Sequence, residues 1–507
     1  MKKIIVGEGN TGVLELIDEQ GNKEIFQPDC DLDKSLDLLY EFYEILTVGG
    51  VKVKDTFQKD GVDWFPTSIS FLYWQIFYQF VKYKPLVDTY LAEDTHFIFN
   101  SLGRFSKLIG AIDATSGHDS KFLRNNFRKI YHGFVQLRNR VVVKKKGGIL
   151  FFRYSVDDFR TKELFKSLKK KYQVTQVAHA PKRSLFRCFF DPQVYIVTAS
   201  SALTDFNIVL PKETPDIFKI ALYSAQSLIN SHLGGYQSHL KQMRSLSYKL
   251  FFGLDDTNIV YPLIYAAQDA GIKTLGFQHG LYARRHESYI MKGIDRYRWF
   301  DNVLVWGEYW KNIILRYSDM FQEGFHLLSS NKINYNYEKL PKNCKEKTVL
   351  IPYEFLADSI KVGEYIRKFV DKGYVVYFKT RPDEKIEDQI NSYYLEEIQG
   401  QIRIVESIDP ELMRKVDVIA GTYSTLLFDL LPYGKPTWIL ETSFRLMYDM
   451  VDDGLARMIT DEDMERIDEI YHLEMSLERE VDQVFLFGSK PVPEVIDEYL
   501  TTRHISE

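Results

Sequence analysis

The sequence predicts an α/β protein with two Rossmann-like domains that face each other across a cleft, preceded by an N-terminal α+β extension. From Ile149 onward, short apolar runs that suit buried parallel strands alternate with helical patterns. A polar, aperiodic segment over residues 329–347 interrupts this alternation, and a second alternating series follows it. At 507 residues the chain is also too long for one ordinary core. The sequence therefore indicates two sheets of the same kind.

Four segments follow from these patterns. Gly147 and Gly148 end the extension, residues 1–147, and residues 148–328 form the first Rossmann-like domain. Residues 329–347 are the linker, and residues 348–507 form the second domain with a closing helix near 495–502. In the extension we predict a hairpin around residues 19–22, a helix over 33–46 and an aromatic-rich helix over 64–83. The aromatic helix is expected in the core, with docking on a membrane surface as the alternative.

The elements of the two domains are predicted from strand and helix periodicity. In the first domain we expect a long helix over 215–250 with a break at Gly234 and Gly235, a helix over 261–270 that Gly271 ends, and strands over 149–154, 174–178, 194–198, 273–277 and 302–306. In the second domain we expect strands over 348–352, 374–379, 402–406, 416–420 and 437–440, and helices over 356–372, 385–398, 410–414 and 424–431.

Composition excludes several classes of protein. With 65 Lys and Arg against 70 Asp and Glu, the net charge of −5 does not suggest a nucleic-acid-binding protein. The three cysteines are far apart and give neither a disulfide framework nor a metal-ligand spacing. The N-terminal apolar run is too short for a signal peptide, and the run over residues 69–81 is too short to span a bilayer. We therefore expect a cytoplasmic protein.

One stretch of the extension is strongly basic. Residues 121–146 contain nine Lys or Arg and no acidic residue: Lys121, Arg124, Arg128, Lys129, Arg138, Arg140, Lys144, Lys145 and Lys146. Such a run is usually a solvated face, but the absence of compensating acids also fits an anionic partner, either acidic lipid or a phosphate-bearing molecule.

A polar loop follows the predicted strand over residues 273–277. Gln278, His279 and Gly280 stand at its carboxyl end, which is where parallel sheets bind ligands. The two interpretations are a functional histidine and a structural histidine that caps the loop. Asp255 and Asp256 end the segment before the helix over 261–270, where they could act as a base or nucleophile or could cap a helix.

Two loops of the second domain indicate an anion site. Lys379 and Arg381 follow a strand and could grip a phosphate, or could instead pair with the acids at 383, 384 and 387. Thr422, Ser424 and Thr425 lie between the next strand and a predicted helix, where N–H groups and hydroxyls attract phosphate. Both loops end strands of one sheet, so we expect them to lie in the same crevice.

Other chemistries lack their motifs. No glycine-rich dinucleotide fingerprint or phosphate loop of the ATPase type follows a strand. No His-Glu-x-x-His or Cys/His cluster suggests a metal site. We therefore expect neither a bound metal nor a cofactor.

The residues of these loops resemble those of the GT-B glycosyltransferases. The likeness rests on the Gln278-His279-Gly280 loop, the basic loop at 379–381, the Ser424-Thr425 pair and the Tyr-Gly-Lys-Pro turn at 433–436, and it covers residues 149–440. Within that fold the sequence is similar to bacterial surface-polysaccharide enzymes, both the capsule transferases for Kdo and sialic acid and the teichoic-acid glycerophosphotransferases.

This resemblance implies roles for individual residues. His279 corresponds to the catalytic base of the glycerophosphotransferases, and its ordinary pKa suits that task. Arg381-Pro382 stands where those enzymes have a His-Pro that holds donor phosphates, which leaves the donor type open. Ser424 and Thr425 would lie at the donor phosphates; Lys379, Thr422, Gln278 and Glu308 are further candidates for donor binding. Asp255 or Asp256 would serve if a retaining mechanism needs a carboxylate.

The implied function is transfer of a sugar from a nucleotide-activated donor to a growing bacterial surface glycan. A CMP-sugar is favoured, with UDP- and GDP-sugars as alternatives, and the nucleotide sugar is a co-substrate and not a cofactor. The donor would bind the second domain, and a glycan or lipid-linked glycan would bind the first domain and the extension, in peripheral contact with the inner membrane. The alternatives are a polyol-phosphate transferase of the teichoic-acid type, a non-catalytic GT-B-like binding subunit and, less favoured, a nucleotide-sugar epimerase.

Overall fold

The computed structural model contains three main sheets, which correspond to the extension and the two predicted domains. It describes residues 2–8, 14–92, 95–101, 103–115, 133–143, 146–155, 161–179, 190–197, 205–254, 260–278, 280–285, 293–294, 298–319, 326–329, 340, 346–354, 358–382, 384–478 and 481–501. Most of the predicted linker, 329–347, lies outside these residues. We name the sheets the N-terminal, central and C-terminal sheets.

The N-terminal sheet contains the predicted hairpin and two strands that the periodicity did not reveal. Its order is Lys23–Phe26, Leu14–Ile17, Lys2–Glu8 and Thr95–Phe99. The hairpin pairs are antiparallel, as predicted, whereas Lys2–Glu8 and Thr95–Phe99 are parallel. Two short hairpins stand apart from it: Thr47–Val48 with Val51–Lys52, and Gln58–Lys59 with Val62–Asp63.

The aromatic-rich helix of the extension is part of the core. It runs as Pro66–Phe71, a π-helical segment Leu72–Phe77, and Tyr78–Leu91. Tyr73, Phe77 and Tyr78 on it are completely buried. The helix predicted over 33–46 is likewise Leu32–Tyr40 followed by a π-helical turn, Glu41–Ile45. The alternative of a membrane-surface helix over 64–83 is therefore wrong, because most of its aromatic rings are buried in the protein core.

The central sheet has seven strands, and all of its pairings are parallel. In spatial order they are Val194–Val197, Val174–His179, Lys146–Ser155, Ser247–Leu254, Lys273–Phe277, Asn302–Val305 and His326–Ser329. Numbered along the chain, this order is 3-2-1-4-5-6-7, that of a doubly wound sheet. Its helices include Lys162–Lys171, Tyr261–Asp269 and Glu308–Tyr317. The predicted left-handed stop at Gly271 is confirmed, with φ of 76°.

The prediction for residues 215–250 is wrong in two respects. One unbroken helix runs from Asp216 to Met243 through Gly234 and Gly235, and the following residues form the strand Ser247–Leu254. A Cβ atom on Gly235 would lie 3.3 Å from the Cβ of Pro262. The glycine therefore permits close packing against the helix Tyr261–Asp269, and it does not break its own helix.

The C-terminal sheet has six parallel strands in the order 3-2-1-4-5-6. They are Arg403–Val405, Val375–Lys379, Thr348–Pro352, Val418–Gly421, Thr437–Leu440 and Arg457–Ile459. The last of these strands was not predicted. The main helices are Ser359–Asp371, Ile386–Ser392, Pro410–Lys415, Tyr448–Asp452, Asp461–Glu465 and Ile467–Ser476. Two Rossmann-like domains that face across a cleft make the predicted GT-B architecture.

The last helix crosses back to the central sheet. Val492–Thr501 packs with the helix Lys162–Lys171, and Val492, Val495 and Ile496 are buried in the same core as strand residues of the central sheet. The hydroxyl of Tyr499 donates to the carbonyl of Thr274. The short helix Gln483–Phe487 packs on Glu308–Tyr317 in the same way. The chain end therefore ties the two Rossmann-like domains together.

Asp63 in the extension is predicted to make stability depend on pH. Its carboxylate accepts a 3.0 Å hydrogen bond from the N–H of Phe65, and burial raises its pKa to about 7. A carboxyl with a raised folded-state pKa stabilises the fold below its ordinary pKa and loses that contribution as pH rises through 7. Asp63→Asn keeps the acceptor and removes the charge. We expect its free energy of unfolding, relative to wild type, to rise by about 2 kcal/mol between pH 4 and pH 8, after allowance for partial exposure.

Urea unfolding followed by tryptophan fluorescence at the two pH values measures this difference. A gap between variant and wild type that is the same at both pH values would contradict the assignment.

No helix among the described residues is long and apolar enough to cross a membrane.

The structure describes part of the basic stretch over residues 121–146. Arg138 is only 3 % exposed, and its guanidinium donates to the backbone carbonyls of Asp191 and Val194. It therefore does not belong to a solvated basic face. The side chains of Lys121, Arg124, Arg128, Lys129, Lys144, Lys145 and Lys146 lie outside the description.

Candidate functional site

A cleft of about 730 Å³ lies between the C-terminal domain, the central domain and the extension. The C-terminal domain contributes the carboxyl ends of its strands, including Lys379, Arg381, Ser424 and Thr425. The volume is within the range of small-molecule sites. Four of the predicted binding residues are thus brought to one wall, where the sheet order reverses between Thr348–Pro352 and Val418–Gly421.

Backbone and amide hydrogen bonds position the basic loop. The N–H of Thr380 donates to Val405 O at 2.9 Å, which continues the sheet by one residue. The buried side chain of Gln389 holds both backbone groups of Arg381, with its oxygen accepting from Arg381 N at 2.7 Å and its amide donating to Arg381 O at 2.9 Å. The side chains of Lys379 and Arg381 therefore start from a fixed backbone at the edge of the cleft.

Lys379 is half-buried and has a perturbed pKa. Burial lowers the pKa of its ammonium, and the nearby charge of Glu406 raises it. Its Nζ donates to the carbonyl of Thr380. An anion bound beside Lys379 would favour the charged form, because it would replace the lost hydration.

A buried carboxylate organises the loop over residues 422–424. Glu354 is 1 % exposed, and its Oε1 accepts from the N–H groups of Tyr423 at 2.7 Å and Ser424 at 2.5 Å. Its Oε2 accepts from both the N–H and the hydroxyl of Thr422 at 2.7 Å. Burial raises the pKa of Glu354, while these four hydrogen bonds lower it. The N–H groups expected to attract a phosphate are thus already paired with a carboxylate of the chain.

Ser424 and Thr425 line the cleft, and the helix that follows them is short. It spans Leu426–Asp429, followed by a 3-10 turn, Leu431–Tyr433, in place of the predicted helix over 424–431. Ser424 Oγ accepts a 3.3 Å hydrogen bond from Leu426 N. The side chain of Thr422 is buried against Glu354, which gives it a supporting position behind the wall.

The Gln278 side chain is used to hold its own loop. Its Oε1 accepts from Trp306 N at 2.8 Å, its Nε2 donates to Gly280 O at 2.8 Å, and its carbonyl accepts from Trp306 Nε1 at 2.9 Å. Gln278 is completely buried, whereas Gly280 lines the cleft. His279, which stands between them in the sequence, lies outside the described residues, as do Asp255 and Asp256.

The segment after Gly280 is held by hydrogen bonds to both the C-terminal domain and the extension. The N–H of Arg284 donates to Asp449 of the C-terminal domain at 2.8 Å. The guanidinium of Arg285 donates to both carboxylate oxygens of Asp33 in the extension, at 2.5 and 3.0 Å, which holds the pKa of Asp33 below its ordinary value. Burial raises the pKa of Asp449. These contacts fix the path of the loop that follows Gly280.

Glu308 is placed away from the cleft wall. It is the first residue of the helix Glu308–Tyr317, is exposed, and pairs with Lys311 at 3.3 Å. It does not belong to the described residues that line the cleft.

Sequence reasoning missed two parts of the site. The extension supplies a wall with Phe71, Trp74, Gln75 and Arg104, and no motif in residues 1–147 indicated this. Trp74 packs against Phe444 of the C-terminal domain, with ring centroids 6.5 Å apart. Glu354 was also missed, although an acid just after a central buried strand is a detectable signal.

The cleft is electropositive. Arg104, Lys379 and Arg381 line it, and Glu354 is the one carboxylate among the described lining residues. The oxygens of Glu354 are occupied by backbone and hydroxyl donors. The wall therefore favours an anionic ligand. Within the part of the chain that the structure describes, no group of three or more His, Cys, Asp or Glu could hold a metal ion.

Comparisons with known proteins were made by sequence and by fold. No protein-family model matches the chain. The uncharacterized protein MJ1060 of Methanocaldococcus jannaschii is 26% identical over 266 residues, which are 50% of this chain and 46% of that protein. The chain therefore matches about half the length of this relative.

Solved structures with a similar fold include UDP-GlcNAc 2-epimerase from Methanocaldococcus jannaschii. Its TM-score is 0.43 and its sequence identity 11%, and the match covers 70% of this chain and 99% of that chain. The calicheamicin glycosyltransferase CalG4 has a TM-score of 0.40 and 11% identity over 66% and 91%. Acinetobacter baumannii MurG has a TM-score of 0.38 and 11% identity over 71% and 100%.

Proposed function

We propose that this protein is a glycosyltransferase that moves a sugar from a nucleotide-activated donor to a growing bacterial surface glycan, without a metal ion. The observation that supports this most is the shared wall of Lys379, Arg381, Ser424 and Thr425 in a cleft of about 730 Å³. Gly280, which follows the candidate base His279 in the sequence, lines the same cleft.

On the donor side, transfer releases a nucleotide phosphate, whose growing negative charge must be stabilised. Lys379 and Arg381 supply positive charge on a fixed loop, and the Ser424 and Thr425 hydroxyls supply neutral donors. Because the backbone N–H groups of Thr422, Tyr423 and Ser424 donate to Glu354, the donor phosphates would bind to these side chains and not to that backbone.

On the acceptor side, the attacking hydroxyl needs a base, and His279 is our candidate, with Asp255 or Asp256 as the alternatives. The extension faces the donor wall with the rings of Phe71 and Trp74 and with the guanidinium of Arg104. Aromatic rings of this kind could stack on a sugar of the acceptor glycan. A lipid-linked acceptor would be carried by the cytoplasmic membrane, so peripheral contact with its inner face is part of the proposal.

A thermal-shift panel with CMP, UDP, GDP and CDP tests nucleotide binding. We expect one nucleotide to raise the melting temperature of the wild type, with CMP favoured. Arg381→Ala and Lys379→Ala should each weaken binding about 10- to 100-fold, since a charge-assisted hydrogen bond contributes about 1.5–3 kcal/mol. Arg403→Ala is the matched control. Arg403 is the first residue of the neighbouring strand Arg403–Val405, so it lies at the amino end of that strand, opposite the cleft. Its guanidinium donates to the hydroxyl of Tyr377 at 2.8 Å.

Each outcome has a distinct meaning. Binding that survives both Lys379→Ala and Arg381→Ala would contradict the donor site. A melting temperature unmoved by every nucleotide would favour a non-catalytic binding subunit. Incubation with CDP-glycerol and with CMP-, UDP- and GDP-sugars, followed by mass spectrometry of the product, separates sugar transfer from polyol-phosphate transfer.

A further inference from the structure

The aromatic-rich segment of the extension is open only toward the cleft. From Trp64 to Tyr83 every residue is buried except Phe71, Trp74 and Gln75. Trp74 and Gln75 come three and four residues after Phe71, which places the three on one side of the helical segment, and all of them line the cleft. The segment therefore has a single uncovered stripe, and that stripe forms part of the cleft wall.

The ring of Trp74 is held from both the extension and the C-terminal domain. Its centroid lies 4.8 Å from that of Tyr73, 5.4 Å from that of Tyr78 and 6.5 Å from that of Phe444. The π-helical register supports it from below. The N–H of Tyr78 donates to the carbonyl of Tyr73, five residues back, and the carbonyl of Trp74 accepts from the side-chain amide of the buried Gln79 at 2.8 Å. The indole is therefore a pre-organised surface for a ligand.

Arg104 supplies the positive charge of this wall, and a buried carboxylate fixes its backbone. It is the first residue of the helix Arg104–Thr115. Glu8, which is 8 % exposed, accepts from the N–H groups of the two residues that follow Arg104, at 2.5 and 3.4 Å. A Cβ atom on Gly103 would collide with this carboxyl, so the glycine permits the contact. Arg104 therefore lines the cleft from a fixed position at the start of its helix.

A buried cation lies near Arg104. Lys82 is 1 % exposed, and its ammonium lies over the rings of Tyr78 and Tyr83, 5.8 and 5.7 Å from their centroids. Burial lowers the pKa of Lys82, and the charge of Arg104 lowers it further, whereas nearby acids raise it. An anion bound at Arg104 would offset the repulsion between the two cations.

These side chains together match one class of ligand. An indole presents a flat apolar surface to a sugar ring, a carboxamide both donates to and accepts from hydroxyls, and a guanidinium binds a carboxylate or phosphate through two parallel hydrogen bonds. We propose that Phe71, Trp74, Gln75 and Arg104 bind an acidic sugar residue of the acceptor glycan, one that carries a carboxylate or a phosphate. This inference rests on the proposed function, which assigns the donor phosphates to the C-terminal wall of the cleft.

Saturation-transfer NMR in the absence of nucleotide tests this subsite. The probes are the methyl glycosides of glucuronic acid, N-acetylneuraminic acid, glucose 6-phosphate and glucose, so that carboxylate, phosphate and neutral sugars are compared. We expect an acidic probe to bind, and the neutral glucoside to bind about tenfold more weakly, because it lacks the charge-assisted hydrogen bonds.

Variants of partly exposed residues assign the binding to this wall. Arg104→Ala should weaken binding of the acidic probe about tenfold and Gln75→Ala about threefold, since the first loses charged and the second neutral hydrogen bonds. Lys107→Ala is the matched control, because Lys107 is exposed on the same helix and its removal changes the net charge equally. The melting temperature without ligand checks that each variant is folded.

Equal binding of the neutral and acidic probes would overturn the proposal, as would binding of none of the four. Binding of an acidic probe that Arg104→Ala leaves unchanged would also overturn it. The nucleotide-induced thermal shift is measured separately, without sugar. If Arg104→Ala reduced that shift as much as Arg381→Ala does, Arg104 would belong to the donor site and the proposal would fall. A wild type that binds an acidic probe but shows no shift with any nucleotide would contradict the donor site and leave this subsite standing.

Discussion

Replacing Glu354 by alanine is expected to lower the free energy of unfolding by about 3–5 kcal/mol, because each buried donor left without an acceptor costs about 1–3 kcal/mol. The substitution leaves the N–H groups of Thr422, Tyr423 and Ser424 and the Thr422 hydroxyl without their acceptor at a site that is 1 % exposed. Glu354→Gln keeps the shape but turns an amide donor toward donors, so we expect a loss of about 2 kcal/mol. Urea unfolding measures both.

A control on the same sheet separates this role from a general effect of losing a carboxylate. Glu441 follows the neighbouring strand Thr437–Leu440 and is exposed, so Glu441→Gln should change stability by less than about 0.5 kcal/mol. Glu354→Gln should also weaken the nucleotide-induced thermal shift, because Ser424 and Thr425 are carried by the loop that Glu354 holds. Stability of Glu354→Ala within about 1 kcal/mol of the wild type would show that the carboxylate does not organise this loop.

Replacing His279 by alanine is expected to lower the rate of sugar transfer about 10²- to 10⁴-fold, the usual contribution of a general base. The expectation rests on its neighbours: Gln278 is locked to Trp306, Gly280 lines the cleft, and the segment beyond is held by Asp449 and Asp33. Nucleotide binding should be unchanged, because the side chains proposed to bind the phosphates, Lys379, Arg381, Ser424 and Thr425, lie on the other domain. Single-turnover assays and the thermal shift measure the two effects.

His472→Ala is the control for this substitution, because His472 is exposed on the helix Ile467–Ser476. If His279→Ala retains transfer within about threefold of the wild type, His279 is not the base. Asp255→Asn and Asp256→Asn then become the decisive variants, and loss of transfer in one of them would move the assignment to a carboxylate.

The elements that the sequence predicted well are those whose pattern is local. The strands Lys273–Phe277, Thr348–Pro352 and Thr437–Leu440 occupy the predicted ranges, because each is a short apolar run bounded by turn residues. The start of the strand Ser247–Leu254 was included in the predicted helix, because only its first four residues alternate between exposed and buried and the rest form a continuous buried run. Gly235 was taken for a break because its packing against Pro262 is not local information.

For the candidate site, too, the sequence predicted what depends on local pattern and not what depends on distant contacts. Lys379, Arg381, Ser424 and Thr425 were found because parallel strands end at one edge of a sheet, which makes loop position predictable from strand position. Gln278 was found for the same reason, but its side chain proves to be a structural tie to Trp306. Whether a polar group at such an edge faces the cleft or its own loop depends on partners that are distant in the sequence.

By itself, the sequence determined the fold class, the pairing of two Rossmann-like series and the basic and hydroxyl residues of one cleft wall, because strand periodicity and sheet topology fix these together. Tertiary structure alone decided that Glu354 accepts from the backbone N–H groups that the sequence suggested for a phosphate, and that the extension supplies the opposite wall through Trp74 and Arg104. Each depends on contacts between segments far apart in the chain, and periodicity carries no record of such contacts.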